Sequence, residues 1–175
     1  MSLLKILTIP DPRLKHKSIE VKTFDHKIYE IIKNMYETLY DSGNGIGLAA
    51  PQVGILKRIV VIDLKEDDVS KPITLINPKI LNKSNDTFLN EEGCLSVPEY
   101  YAEVERSIKI EYEWYDHLGE RKESSTDGLL SICIQHEIDH LDGILFIDYL
   151  SSLKRKMALE KLNRMKKKKK VKKIN

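Results

Sequence analysis

The stretch QHEIDHLDG, residues 135–143, decides how the rest of this chain is interpreted. His136 and His140 are four residues apart, so on a helix both imidazoles project from one face and can reach a single metal ion. Glu137, beside the first histidine, is placed to take a proton from a water molecule at that ion. The pattern HExxH therefore predicts a metal-binding helix.

A catalytic metal site also needs a third protein ligand and one position open to water. Phe146 stands where one large group of proteases has a third histidine, which closes that route. Glu160 follows His140 at a distance used by another protease group, but it has Lys156 and Arg164 four residues to either side. An ordinary surface ion pair is therefore the better explanation of Glu160.

Two cysteines are the other candidates for the third ligand. Cys133 lies roughly 8 Å along the helix axis from an ion held by the histidines, too far for a thiolate, and is better explained as a small apolar residue. Cys94 lies in EEGCLSVP (91–98), where Gly93 permits close backbone approach. We therefore predict that Cys94 completes the site. One thiolate and two neutral imidazoles leave a divalent ion positively charged, which favours hydroxide formation from bound water.

The glycine-rich segment GIGLAAPQVG (45–54) matches the dinucleotide-binding pattern GxGxxA. A nucleotide loop follows a strand and opens a helix, whereas this segment follows a predicted helix and runs into Pro51. Gly45 and Gly47 instead suit a backbone against which an extended peptide lies as an added strand. Gln52 offers an amide donor for an oxyanion, although a solvated loop glutamine would look the same in sequence.

The periodicity of the remaining chain predicts an α+β fold. Asp25 is a helix cap before apolar residues at helical spacing, and Gly43 is a stop signal. A second helix is predicted from Asp127 to Gly143, and a third from Ser151 or Ser152 into the C-terminus. Strand patterns lie between the helices at RIVVIDL (58–64), ITLIN (73–77) and SIKIEYEWY (107–115). A block of strands between helices predicts antiparallel or mixed strands packed around the central metal-binding helix, with a C-terminal helix.

Length and charge predict one catalytic domain with a basic extension. The 175 residues suit a single domain, and two cysteines favour a reducing cytosol over a disulfide framework. No apolar run is long enough to span a bilayer, so we expect a cytoplasmic protein without membrane contact. Residues 154–175 carry 12 Lys or Arg and one acid, a net charge of +11, whereas residues 1–153 carry 17 basic and 26 acidic residues, a net charge of −9. The tail is therefore expected to attract nucleic acid, or else to be a solvated helix end.

Taken jointly and in order, GIGLAAPQ, EGCLS and HEIDH resemble the three signature motifs of peptide deformylase, and the chain is similar to the compact class typical of Gram-negative bacteria. The resemblance implies removal of the formyl group from the initiator methionine of nascent polypeptides, with formate released by hydroxide attack. It implies Cys94, His136 and His140 as ligands of one divalent ion, with ferrous iron expected and zinc also compatible. It also makes the ribosome the expected polyanionic partner of the tail.

The resemblance further implies roles for individual residues. Glu137 would act as general base and then as general acid, while Gln52 and the Leu95 backbone N–H would hold the oxyanion. Asn44 and Tyr101 depart from the acidic residue and the arginine that many bacterial members carry, which leaves substrate preference beyond formylmethionine open. The expected substrate-binding residues are Gly45, Ile46, Gly47 and Gly93 along the peptide, Ile46, Leu129, Ile132 and Cys133 around the methionine, and Arg106 at the rim.

Two other functions remain compatible with the residues alone. A metalloendopeptidase that uses Glu160 as ligand would keep its metal after Cys94→Ser. An RNA-associated module with a purely structural metal would be unaffected by Glu137→Gln.

Overall fold

The computed structural model describes residues 3–65 and 69–171, and this part of the chain forms an α+β fold, as predicted. The strands form a block between the first and second helices. The helices are α1 (His26–Asp41), α2 (Gly128–Leu141) and α3 (Ser152–Val171); the strands are β1 (Gly47–Ala49), β2 (Ile59–Ile62), β3 (Ile73–Lys83), β4 (Thr87–Cys94), β5 (Val97–Ser107), β6 (Lys109–Tyr115) and β7 (Arg121–Asp127).

One antiparallel sheet, in the order β1-β2-β3-β6-β7, separates two helices. Successive residues of a strand point to opposite faces, and β2 has apolar residues on both. Ile59 and Val61 belong to the core cluster that contains the buried face of α1, whereas Val60 and Ile62 belong to the cluster that contains α2. The sheet therefore fixes α2, which carries the HExxH motif, on the face opposite α1.

The strands β4 and β5 form a separate two-stranded hairpin that the sequence patterns did not predict. Most side chains of β4 are exposed or half-buried, so the alternation that marks a strand is weak there. The hairpin pairs Gly93 with Tyr101, and its register shifts so that Cys94 pairs with Val97. This irregular end of β4 places Cys94 beside α2.

The helix boundaries agree closely with the sequence signals. The Asp25 side chain accepts hydrogen bonds from the backbone N–H groups of Lys27 and Ile28, which caps α1. Asp127 is the residue before α2, but its side chain makes no capping hydrogen bond. Gly143, two residues after α2, has a φ of 75°, and a Cβ there would lie 2.5 Å from the carbonyl oxygen of Lys15. Glycine is therefore required where the chain leaves α2.

The first half of α3 packs onto the body of the protein. Ala158 and Leu162 are buried in a cluster with Leu14, Leu145 and Phe146. The lysine run at 166–173, which carries much of the predicted tail charge, lies outside the residues whose side chains the structure describes. In the described part of the chain, no helix has the length and hydropathy needed to cross a membrane.

Candidate active site

Three side chains with metal-binding atoms converge between α2 and the end of β4. The Cys94 Sγ lies 3.2 Å from His140 Nε2, and the imidazole centroids of His136 and His140 are 4.9 Å apart. One ligand atom from each of the three residues lies within 4.8 Å of the others. The structure thus brings together the cysteine and the two histidines that the sequence proposed as ligands.

The donor set and its hydrogen bonds fit a divalent ion. The His136 Nδ1 lies 2.8 Å from Glu92 Oε2, and because a carboxylate accepts, this nitrogen carries the proton and leaves Nε2 free to bind a metal. The Nδ1 atom of His140 is buried without a hydrogen-bond partner among the described residues, while its Nε2 faces Cys94. Sulfur and imidazole donors of this kind suit zinc and ferrous iron.

The charges around the two histidines differ. Burial lowers the pKa of His136, but hydrogen bonds with Cys94 and Glu92 and the charge of Glu137 outweigh it, so its pKa is raised well above the usual value. Burial, together with the neighbouring His136 and Arg106, lowers the pKa of His140 well below the usual value. The surroundings of His136 therefore stabilise a positive charge, whereas the surroundings of His140 stabilise its neutral imidazole form.

Glu137 lies beside the ligands and has one oxygen without a hydrogen-bond partner among the described residues. Its side chain is buried, and this oxygen is Oε2. Burial raises the pKa of Glu137 to about 7, with Glu92 and Asp139 adding to the shift and His136 and Arg106 opposing it. A carboxyl group with this pKa can both accept and donate a proton near neutral pH.

Gln52 is oriented by its own hydrogen bonds and is not a solvated loop residue. It is 2 % exposed, and its Oε1 accepts a 2.8 Å hydrogen bond from the Ala49 backbone N–H. The Gln52 Nε2 donates to Ser96 Oγ at 3.2 Å and lies 3.5 Å from Cys94 Sγ. The side-chain amide of Gln52 is thus held beside the sulfur of Cys94.

A cavity of about 440 Å³ opens beside these residues. Its apolar side includes Ile46 and Leu129, and Tyr101 contributes to its rim. The predicted site residues that line the cavity are Gly45, Ile46, Gly47, Gln52, Gly93, Cys94, Leu95, Leu129, Ile132, Cys133, His136 and Glu137.

The structure does not support the prediction that Arg106 binds substrate. Arg106 does not line the cavity, and its side chain is only 4 % exposed. Its guanidinium binds both oxygens of Glu92, at 2.7 and 3.0 Å, and Asp139 Oδ2 at 2.6 Å. A guanidinium enclosed by two carboxylates cannot reach a peptide in the cavity, so Arg106 supports the site from behind.

Sequence reasoning missed Glu92, Ser96 and Asp139. A usable signal existed for Glu92, because residues two apart on a strand share a face and Glu92 is two residues before Cys94. Asp139 is three residues after His136, which places both on neighbouring positions of the helix surface. Ser96 is two residues beyond the end of β4, where no sequence pattern indicates the side-chain direction.

The fold and the site together define a metal-dependent hydrolase, in which a cysteine, two histidines and a buried carboxyl group meet at a cavity. A family model described as polypeptide deformylase matches residues 3–156. The chain belongs to this family, and it is a metal-dependent enzyme that removes the N-terminal formyl group from nascent polypeptides.

Individual relatives agree over nearly the whole chain. A peptide deformylase of Novosphingobium aromaticivorans is 45% identical, with 95% of this chain and 99% of the relative covered. The crystal structure of a peptide deformylase from Legionella pneumophila is 43% identical, with a TM-score of 0.90 over 96% of this chain and 98% of the other. That of Ehrlichia chaffeensis peptide deformylase in complex with actinonin is 40% identical, with a TM-score of 0.90 over 94% and 98% of the two chains.

Proposed function

We propose that Cys94, His136 and His140 hold one divalent ion, ferrous iron by expectation with zinc also compatible, at which formylmethionyl peptides are hydrolysed. When bound, the ion acts as a Lewis acid that polarises the formyl carbonyl and lowers the pKa of water. The convergence of the three ligand atoms within 4.8 Å, beside the unsatisfied oxygen of Glu137, is the observation that carries this proposal.

The peptide lies in the cavity between two strand edges. β1 is the edge strand of the larger sheet, and among the described residues β4 pairs only with β5. Residues of both edges, from Gly45 to Gly47 and at Gly93, line the cavity and can bind the peptide backbone as an added strand does. The methionine side chain then occupies the apolar part of the cavity formed by Ile46, Leu129, Ile132 and Cys133.

Glu137 moves the proton during hydrolysis. It accepts the proton that the attacking water loses, and it donates that proton to the methionine nitrogen when the bond to the formyl carbon breaks. Its pKa of about 7 suits both steps. The Gln52 amide and the Leu95 backbone N–H stabilise the negative charge on the formyl oxygen in the transition state.

The ligand set is tested against the protease alternative by two matched variants. Protein purified without oxygen is analysed for bound metal and for formate release from formyl-Met-Ala-Ser. Cys94→Ser is expected to lose most of the metal and the formate release, whereas Glu160→Gln keeps both, because Glu160 is exposed and lies 3.9 Å from Arg164. Metal retained in Cys94→Ser and lost in Glu160→Gln would contradict the proposed ligands.

We also propose that residues 1–153 form the catalytic domain, onto which Ala158 and Leu162 pack, and that the basic stretch 154–175 binds the ribosome in the cytoplasm. The exposed residues Lys154, Arg155 and Lys156 begin the basic stretch. Because Met165 packs against the core, removal of residues 166–175 is the suitable truncation. It should weaken cosedimentation with ribosomes and make the remaining binding less sensitive to salt, because fewer phosphates are neutralised, and it should leave turnover of the free peptide unchanged. Unchanged cosedimentation would reject ribosome binding by the tail.

A further inference from the structure

We propose that Arg106 is a positioning residue that ties the hairpin bearing Cys94 to the helix bearing His136 and His140, and thereby determines how firmly the metal is held. This inference rests on the ligand set of the proposed function. It gives a role to a buried cation that touches neither the cavity nor any ligand directly.

The Arg106 guanidinium spans two pieces of the molecule. From β5 it binds Glu92 on β4 through Nε and Nη2, and Asp139 on α2 through Nη1. Glu92 Oε2 in turn accepts the hydrogen bond from His136 Nδ1. One chain of contacts therefore runs from Asp139 through Arg106 and Glu92 to the imidazole of His136.

The topology makes such a link necessary. Among the described residues β4 and β5 pair only with each other, so no backbone ladder joins this hairpin to the larger sheet. Cys94 and Glu92 are two residues apart on the same strand, and orienting Glu92 also helps to orient Cys94. Gln135, bonded to the backbone of Ser107, ties a more distant part of the hairpin to α2. Beside the ligands, Arg106 adds a second link to the direct hydrogen bond between His136 and Glu92.

Burial makes this link specific to arginine. The side chains of Glu92 and Arg106 are each 4 % exposed, and the Arg106 Cζ lies 4.9 Å from the centroid of the Tyr149 ring. The planar guanidinium serves both carboxylates with donors in fixed directions, which a lysine ammonium cannot do. Without Arg106, the carboxylates of Glu92 and Asp139 would have no cation between them, and Glu92 would keep only its hydrogen bond from His136.

The experiment measures metal release and ligand geometry instead of turnover alone. Cobalt(II) is loaded into the intact protein, Arg106→Met, Arg106→Lys and Asp139→Asn; its visible absorption is recorded, and its release to a chelator is timed. Arg58→Met is the matched control, because Arg58, just before β2, forms an ion pair at 2.7 Å with Asp142, the residue that follows α2, without contacting a proposed ligand. Thermal unfolding is measured for every variant.

A positioning role predicts roughly 10- to 100-fold faster metal release from Arg106→Met, the usual effect of losing a residue that orients a metal ligand. Its cobalt spectrum should shift, Arg106→Lys should be intermediate, and Asp139→Asn should show a smaller effect in the same direction. Arg58→Met should lower the unfolding temperature without changing release or spectrum.

The proposal would be overturned if Arg106→Met released cobalt at the same rate as Arg58→Met and had the same visible absorption spectrum. If Arg106→Met does not fold, Asp139→Asn decides, and an unchanged release rate in that variant rejects the role. A Cys94→Ser variant with the spectrum of the intact protein would instead show that the ligand set itself is wrong, and the inference would fail with it.

Discussion

Helices α2 and α3 each carry a glutamate that the sequence offered to a metal site, and the two side chains have opposite surroundings. Glu137 is buried beside the cysteine and histidines with one oxygen unsatisfied, and its pKa is raised to about 7. Glu160 is half exposed, 3.9 Å from Arg164 one turn along its own helix. A glutamate can thus exchange a proton near neutral pH in α2, whereas in α3 it forms an ordinary surface ion pair.

This difference comes from how much of each helix is enclosed. The strands of the sheet, β5 of the hairpin and the short 3-10 helix Ala50–Val53 all contact α2, whereas α3 contacts mainly β5 and the 3-10 helix Phe146–Tyr149. A charged group within α2 must be paired or have an altered pKa, because burial disfavours its ionised form. The charged side chains that the structure describes on α3, up to Arg164, are exposed, so water solvates them without a change in burial or pairing.

The largest expected effect is that of Glu137→Gln. The amide keeps the shape of the side chain but cannot take up a proton, so kcat should fall roughly 100- to 10,000-fold. Formate release from formyl-Met-Ala-Ser measures this effect, and metal content should remain that of the intact protein. Activity within a few-fold of the intact enzyme would remove Glu137 from the mechanism and would erase the contrast with Glu160.

Gly47→Ala should have the next largest effect. A Cβ at this position would lie 2.6 Å from Glu137 Oε1 and 3.0 Å from Cys133 Sγ, so the carboxyl group must move. Since displacement of a reacting group by about 1 Å can cost about 100-fold in rate, we expect a loss of that order in kcat. Thermal unfolding provides the control: a loss of activity that merely follows a loss of folded protein would contradict this explanation.

Two substitutions in α3 compare the stability contribution of a buried side chain with that of an exposed one. Leu162 is 2 % exposed within the core cluster, whereas Met157 is 58 % exposed. Leu162→Ala should lower the free energy of unfolding by about 2 to 4 kcal/mol, and Met157→Ala by less than about 0.5 kcal/mol. Urea denaturation measures both values. Equal effects would show that the first half of α3 does not pack as described.

The smallest effect is expected from Glu160→Gln. An exposed ion pair four residues apart on a helix contributes about 0.3 to 0.5 kcal/mol at most. The free energy of unfolding should therefore change by no more than that amount, and it should change less at high salt. Denaturation at two salt concentrations makes this measurement, and a loss above about 1 kcal/mol would indicate a further partner for Glu160.

Local patterns in the sequence predicted the elements with strong periodicity. The apolar spacing and cap of α1, the alternation of β6 and the position of α2 each depend on residues close together in the chain. The hairpin of β4 and β5 was missed because Phe88 and Leu89 are exposed while Glu92 and Arg106 are buried, so its sequence does not alternate between apolar buried and polar exposed residues. β3 also continues beyond Pro78 to Lys83, where the pattern had faded, with a register shift near Asn77.

The sequence by itself determined the kinds of groups available for chemistry, since the four-residue spacing of His136 and His140 is dictated by the helix repeat. Only the tertiary structure decided what surrounds them. Cys94 meets His140 across 46 residues of chain, and Arg106 meets Asp139 across 33. Contacts over such separations depend on strand register and burial, which no local pattern specifies. This is why Arg106 was predicted at the rim of the cavity and was found behind the ligands.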